Sequence, residues 1–239
     1  MLTTWPGRRR AVDVLLGAAL VAKSLSWVDE VPTIGWSLLI VGLVAIAGRT
    51  ARLAFAVASL LIWTALTTGG YESHHFTLLG LLTAYAAMPG RSDHPGLHVT
   101  ELLAMVQVST VYAWAAIWKL NPDFLTGSVV WIEWSTSWLL GPPSVPQWVV
   151  IAAAAVTILG ELVLAGALWA RRLPAMWVLG LAALLHGGMI LSIGSDLDTT
   201  VELVSFALAC GSTFPLFFSL RNGSVVPAGP AVGSRLRQA

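Results

Sequence analysis

Long apolar stretches separated by short polar or Gly/Pro-bearing gaps run almost the whole length of the chain. Eight of them, at roughly 11–28, 33–48, 51–69, 74–89, 99–120, 147–170, 174–194 and 199–220, approach the about 20 residues that a helix needs to cross a bilayer core. The second and fourth are the shortest. Pro32, Gly69–Gly70, Pro89–Gly90, Pro142–Pro143 and Pro174 punctuate the gaps. A membrane barrel shows short alternating segments instead. The pattern therefore predicts an all-α, polytopic membrane helical bundle of about eight transmembrane helices, an even number that puts both termini on one side.

Composition agrees. Of the 239 residues, 56% are hydrophobic and only 10% charged, against about 25% charged in a soluble domain, so a soluble enzyme is excluded. The net charge of +1 and the lack of a basic face argue against nucleic acid as a partner. Cys210 is the single cysteine, which excludes an intramolecular disulfide and any multi-cysteine metal site.

The basic residues give an orientation. Arg8, Arg9 and Arg10, then Arg49 and Arg52, Arg91, Arg171 and Arg172, and finally Arg221, Arg235 and Arg237 fall on one face, eleven of the 13 Lys and Arg. By the positive-inside rule that face is cytoplasmic. Lys23 and Lys119 lie near the outer ends of spans one and five. Asp29, Glu30, Glu72, Asp123, Glu133, Asp196, Asp198 and Glu202 fall outside. The expected layout is a basic cytoplasmic N-terminus at 1–10, a transmembrane region at 11–220 and a disordered cytoplasmic tail at 221–239, in a multi-pass protein of the plasma membrane. A cleaved signal peptide is the competing reading of the N-terminus, but span one is needed for parity and lacks a clear cleavage pattern. The longest gap, 121–146, is expected to be non-helical. It holds Trp131, Trp134 and Trp138, with Trp114, Trp118 and Trp148 nearby. Two compatible readings stay open, an interfacial aromatic belt and a half-buried lid at a substrate entrance.

An ionisable side chain inside a bilayer costs about 3 kcal/mol on insertion scales, so each asks for a reason. Lys119 shares a helical stripe with Tyr112 and Ala115. It reads either as a lysine snorkelling to headgroups or as an amine in a dry, Trp-lined pocket, where desolvation favours the neutral form and makes it a base. His74 and His75 open span four about 100° apart, so at most one faces a shared site. His186 lies in the outer half of span seven, with Gly187 and Gly188 leaving room for close approach. It reads as a core histidine bonded to a carbonyl or as a site residue. Glu161 sits halfway down span six and is expected to be protonated or hydrogen-bonded to a neighbouring helix. No metal-ligand spacing, phosphate loop or nucleophile elbow is present, and no metal is expected. The depth shared by His75, Lys119 and His186 suits chemistry on a membrane-dissolved substrate reached from the extracytoplasmic side.

The stretch from Tyr112 through Lys119-Leu-Asn-Pro-Asp-Phe124 to Gly127 resembles the helix-end signature of the HTTM family, the membrane domain of vitamin K-dependent gamma-carboxylase and its bacterial relatives. His74-His75 through Gly80, Glu161 through Arg171-Arg172, and Leu184-Leu185-His186 through Gly194 resemble three further family segments in the same order. The resemblance implies that Lys119 is the base that deprotonates vitamin K hydroquinone before its oxygenation to the epoxide, with His75 and His186 assisting. Tyr112, Trp114, Trp118 and Glu161 are then expected to bind substrate. The chain departs from the family at Phe124, where the signature has Trp, at Trp118, where the carboxylase has a second lysine, and at Ser73, which replaces Asn. It also stops soon after span eight, where the carboxylase continues into a luminal region that presents glutamate, so glutamate carboxylation is not expected.

The resulting expectation is a membrane enzyme, an oxidoreductase or lyase of vitamin K carboxylase type, using reduced vitamin K or a menaquinol-like quinone. The alternative is a non-catalytic membrane partner, resembling small bacterial HTTM proteins, for maturation of or immunity to an exported peptide. A transporter is the third reading, and it lacks an ion path, since only Glu161 lies near the midplane.

Overall fold

The computed structural model describes residues 5–48, 50–68, 74–88, 99–142, 144–170 and 172–221, without the side chains of 5, 6 and 219–221. Arg49, Gly69, Gly70, Glu72, Ser73, Pro89, Gly90, Arg91, Pro143, Arg171 and the tail at 222–239, all used above, lie outside the described residues.

Every apolar stretch is helical, and no strand occurs among the described residues. The elements are α1 (Trp5–Trp27), α2 (Pro32–Ala47), α3 (Ala51–Thr68), α4 (His74–Ala87), α5 (Val99–Trp118), α6 (Pro122–Leu125), α7 (Ser128–Thr136), α8 (Gln147–Ala167), α9 (Ala175–Ile193), α10 (Leu197–Gly211) and α11 (Phe214–Arg221). The eighth stretch is two helices. Ser212 and Thr213 turn their hydroxyls back onto Ala209 and Cys210 carbonyls at 2.6 and 2.8 Å, which bends a helix. Pro215, in the first turn of α11, then removes a backbone donor where none is needed.

Five helices are long and apolar enough to cross a membrane: α3, α5, α8, α9 and the run Leu197–Phe218 through α10 and α11. They fit a multi-pass membrane protein. With 16 and 14 residues, α2 and α4 extend only about 24 and 21 Å at 1.5 Å per residue. Although α1 is long enough, it carries Arg8, Arg9, Arg10, Asp13 and Lys23. Leu53, Leu60, Met176, Trp177 and Leu184 point outward at 67% exposure or more, an apolar surface that lipid would cover.

Neighbouring helices close a ring in the order α1, α2, α3, α4, α5, α8, α9, α10 and back to α1, with α4 also reaching α1 and α10. Phe55, Phe76, Phe217, Leu16, Leu20 and Met105 fill the middle and are fully buried. The closest backbone approach joins α1 and α2, where a Cβ on Gly42 would lie 2.8 Å from the Gly17 carbonyl oxygen. Only small residues permit such a crossing.

Two differences from the sequence reading bear on the site. The first helix is described from Trp5, six residues before the apolar stretch, and two of its arginines have partners within the protein. Arg9 pairs with Glu101 at 3.4 Å, and the Arg10 guanidinium caps α2 by donating to the Ala45 and Ile46 carbonyls. The gap at 121–146 is not wholly irregular. Asn121 caps α6 by accepting the Phe124 N–H at 2.9 Å, and Gly127, at φ +80°, turns the chain into α7 where a side chain would be strained. Both short helices pack on α8, and α7 also packs on α9.

Candidate functional site

The buried stripe of α5 runs Glu101, Ala104, Met105, Val108, Tyr112, Ala116, and its next position is Lys119, just past the helix end. Asn121 fixes the turn that follows, donating to the Trp118 carbonyl at 2.9 Å while it caps α6. That turn brings the Phe124 ring to 5.8 Å from Lys119 Nζ. Phe124, Ala116, Ala154 and Ile158 form a small apolar cluster beside the amine.

Lys119 Nζ donates to Glu161 Oε1 at 2.6 Å. The lysine side chain is 19% exposed and the glutamate 5%, so the pair is reached from the lysine side. Glu161 Oε2 is buried and has no hydrogen-bond partner among the described residues. An ion pair this short is a charge-assisted bond. It offsets a desolvation cost of several kcal/mol per ion only while both partners stay together. The amine expected in a dry pocket is therefore held by a carboxylate from α8.

One helix further round the ring, Gly160 lies against Leu185 of α9, which sets His186 at the level of Glu161. His186 is buried, and its Nε2 shares a 2.7 Å hydrogen bond with the Tyr112 hydroxyl. Phe206, one turn before Cys210, lies 5.6 Å from the His186 ring and 4.2 Å from the His75 ring.

His75 belongs to a third group. Its Nδ1 is 3.7 Å from Glu202 Oε1, which also pairs with Lys23 Nζ at 3.2 Å. Lys23 is 4% exposed and sits 5.3 Å from the Trp27 ring and 5.5 Å from that of Phe76. His74 is exposed, its ring edge-on to that of His75. The ends of α1, α5 and α9 and the starts of α4 and α10 thus share one rim of the bundle. Three contact groups sit beneath it: Lys119–Glu161, Tyr112–His186–Phe206 and Lys23–Glu202–His75.

The structure brings Lys119 to Glu161 and Tyr112 to His186, and it links the two imidazoles through Phe206. No hydrogen bond or ion pair joins Lys119 to His75 or His186. Trp114 and Trp118 face outward at 62% and 73% exposure, so the ring over Lys119 is Phe124 rather than an indole. Sequence reasoning passed over Lys23 as near a helix end and Glu202 as an outer acid. The signal was the spacing of Glu202, Phe206 and Cys210, which places all three on one stripe of α10. Among the described residues no group of three or more His, Cys, Asp and Glu side chains is gathered closely enough for a metal ion.

At the opposite end, a cavity of about 20 Å³ lies between α1, α4, α5 and the α10–α11 break, lined by Tyr85, Thr100, Glu101, Ser212 and Thr213 among others. It has room for about one water and is separated from Tyr112 along α5 by the buried Met105 and Val108.

No family model, curated protein or solved structure is significantly similar to the chain.

Proposed function

We propose that this is an HTTM-like integral membrane enzyme in which the Lys119–Glu161 pair takes the proton of a hydroxyl on a hydrophobic, quinol-like substrate entering from the lipid. Eight spans, both termini in the cytoplasm, a plasma-membrane location and a site facing the extracytoplasmic side belong to the same reading. The observation that carries it is the 2.6 Å pair whose glutamate is buried and keeps one oxygen without a partner. A purely structural ion pair gains from satisfying every lone pair, whereas a proton acceptor needs one free.

The residues fit a hydroxylated aromatic ring. Glu161 Oε2 can accept an O–H, and the ammonium of Lys119 can hold the oxygen. Phe124, Ala154 and Ile158 offer apolar contact and keep water away, which strengthens both interactions. When bound, a reduced vitamin K or menaquinol-like naphthohydroquinone supplies electrons for an oxidation by dioxygen. Tyr112 and Phe206 hold the imidazole of His186 in one orientation, and Glu202 with Phe206 holds that of His75, so both rings face the same part of the bundle.

The test is oxidation of a reduced naphthoquinone by the purified protein in lipid nanodiscs, followed by absorbance. Wild type is expected to accelerate it over empty discs, and Lys119→Met to lose at least 100-fold of that acceleration, in the range of ~10²–10³ for loss of a group that stabilises a developing oxygen anion. A hydroquinone left untouched by wild-type protein refutes the proposal. The membrane partner for an exported peptide, which asks nothing of the pair, would then be the better reading.

A further inference from the structure

Two atoms of the Lys119–Glu161 pair could take a substrate proton, and the geometry separates them. Lys119 Nζ already donates to Oε1 at 2.6 Å, and as an ammonium it has no lone pair left. Oε1 has that ammonium in front of it. Oε2 is buried, without a donor among the described residues, and belongs to a residue only 4% exposed.

Resting on the function proposed above, we infer that Glu161 is the catalytic base, accepting the substrate hydroxyl proton on Oε2, while Lys119 stays an ammonium throughout and holds the resulting oxygen anion. The step balances without an oxidant. The substrate O–H bond breaks, its electron pair stays on oxygen, and an O–H bond forms at Oε2. Positive charge on Nζ then faces negative charge on the substrate oxygen instead of on the carboxylate, so no net charge is created in a region that solvates it poorly.

The substrate that fits is an uncharged, weakly acidic hydroxyl on an apolar ring. A carboxylate or phosphate is excluded because it would meet Glu161 with a second negative charge.

The inference separates two substitutions that a lysine base would not. Arginine at 119 keeps a cation and five donors but can never accept a proton, so Lys119→Arg should retain activity within about tenfold, where a lysine base would lose it entirely. Glu161→Gln should lose turnover while leaving a cation able to bind an anion. The direct readout is infrared difference spectroscopy on the full chain in nanodiscs, with 4-nitrophenol as the probe because its anion is coloured.

In wild type and Lys119→Arg, binding should produce the coloured anion, a new carboxylic-acid carbonyl band and no proton release to the medium. In Glu161→Gln the band should vanish, with any bound anion accompanied by a released proton. A probe that stays unbound or colourless with wild type, a band that survives Glu161→Gln, or a Lys119→Arg protein without the band overturns the inference. Naphthohydroquinone oxidation measured alongside keeps the two ideas apart. Turnover with the band absent leaves the functional reading and removes Glu161 as base, whereas the band without turnover does the reverse.

Discussion

Cutting the Lys119–Glu161 pair from one side or the other should have unequal effects on stability. At 2.6 Å and an effective dielectric of about 20, the two charges attract by about 6 kcal/mol, and desolvation of both cancels much of that. Removing Lys119 alone, as Lys119→Met, leaves a carboxylate that is 4% exposed without its charged partner. The expected cost is about 3–5 kcal/mol. Glu161→Leu leaves instead a lysine whose side chain is 19% exposed and long enough to turn its ammonium to the headgroups, at a cost of about 1 kcal/mol. The double variant buries two apolar side chains of similar volume and should recover most of the loss.

Thermal unfolding in detergent, with tryptophan fluorescence as the signal, reads this as a drop of about 10 °C for Lys119→Met, from about 2–4 °C per kcal/mol at this chain length. Glu161→Leu should lie within about 4 °C of wild type, and the double variant near it. A Lys119→Met protein as stable as wild type, or a double variant no better than Lys119→Met, would refute the claim that the carboxylate is held dry by this amine.

Other parts of the molecule make further predictions. Asn121→Ala removes the α6 cap and should cost about 1 kcal/mol, and since that cap holds Phe124 near Lys119, substrate affinity should fall with the melting temperature. Gly42→Leu should force α1 from α2 and lower stability by about 2 kcal/mol, whereas Gly166→Ala, with nothing within 4 Å of the added methyl, should be neutral or raise it; equal effects in a melting comparison would disprove the close crossing. Asp196, outside the spans, accepts the Thr199 N–H at 2.7 Å, and that bond holds its carboxyl below the usual carboxylate range. Its stabilisation of α10 is therefore present above about pH 4 and lost as pH falls through the depressed value, so the melting gap between wild type and Asp196→Ala should shrink on acidification; a gap that widens reverses the sign and the argument.

How much of this was legible in the sequence depends on how local each feature is. Runs of apolar residues gave the helices because a helix in lipid must satisfy its own backbone, and the spacing of Tyr112, Ala115 and Lys119 put them on one side of α5. The same arithmetic places Trp114 and Trp118 about 200° and about 240° round from Tyr112, and outward is where they lie. Their number near Lys119 drew them into the pocket as expected from sequence, against their own helical phase.

The ion pairs were not legible. Glu161 is 42 residues from Lys119, and Glu202 is further still from Lys23, so each pairing depends on which helices become neighbours in the ring. Arg8, Arg9 and Arg10 read as a basic cytoplasmic N-terminus because charge suggests water, yet Arg9 pairs with a buried carboxylate and the exposed Arg10 caps α2 through its last carbonyls. The short helices at 121–146 rest on single caps and a left-handed glycine, which leave no periodic signal.

A lipid-dissolved ring meeting the Lys119–Glu161 pair is the central claim, and the most direct measurement of it is what the protein carries out of the membrane. Purified from native membranes in mild detergent and extracted with organic solvent, wild-type protein is expected to yield a quinone by mass spectrometry at close to one per chain, and the folded Lys119→Met/Glu161→Leu variant to yield far less. Equal amounts from both proteins, or none from either, would contradict it.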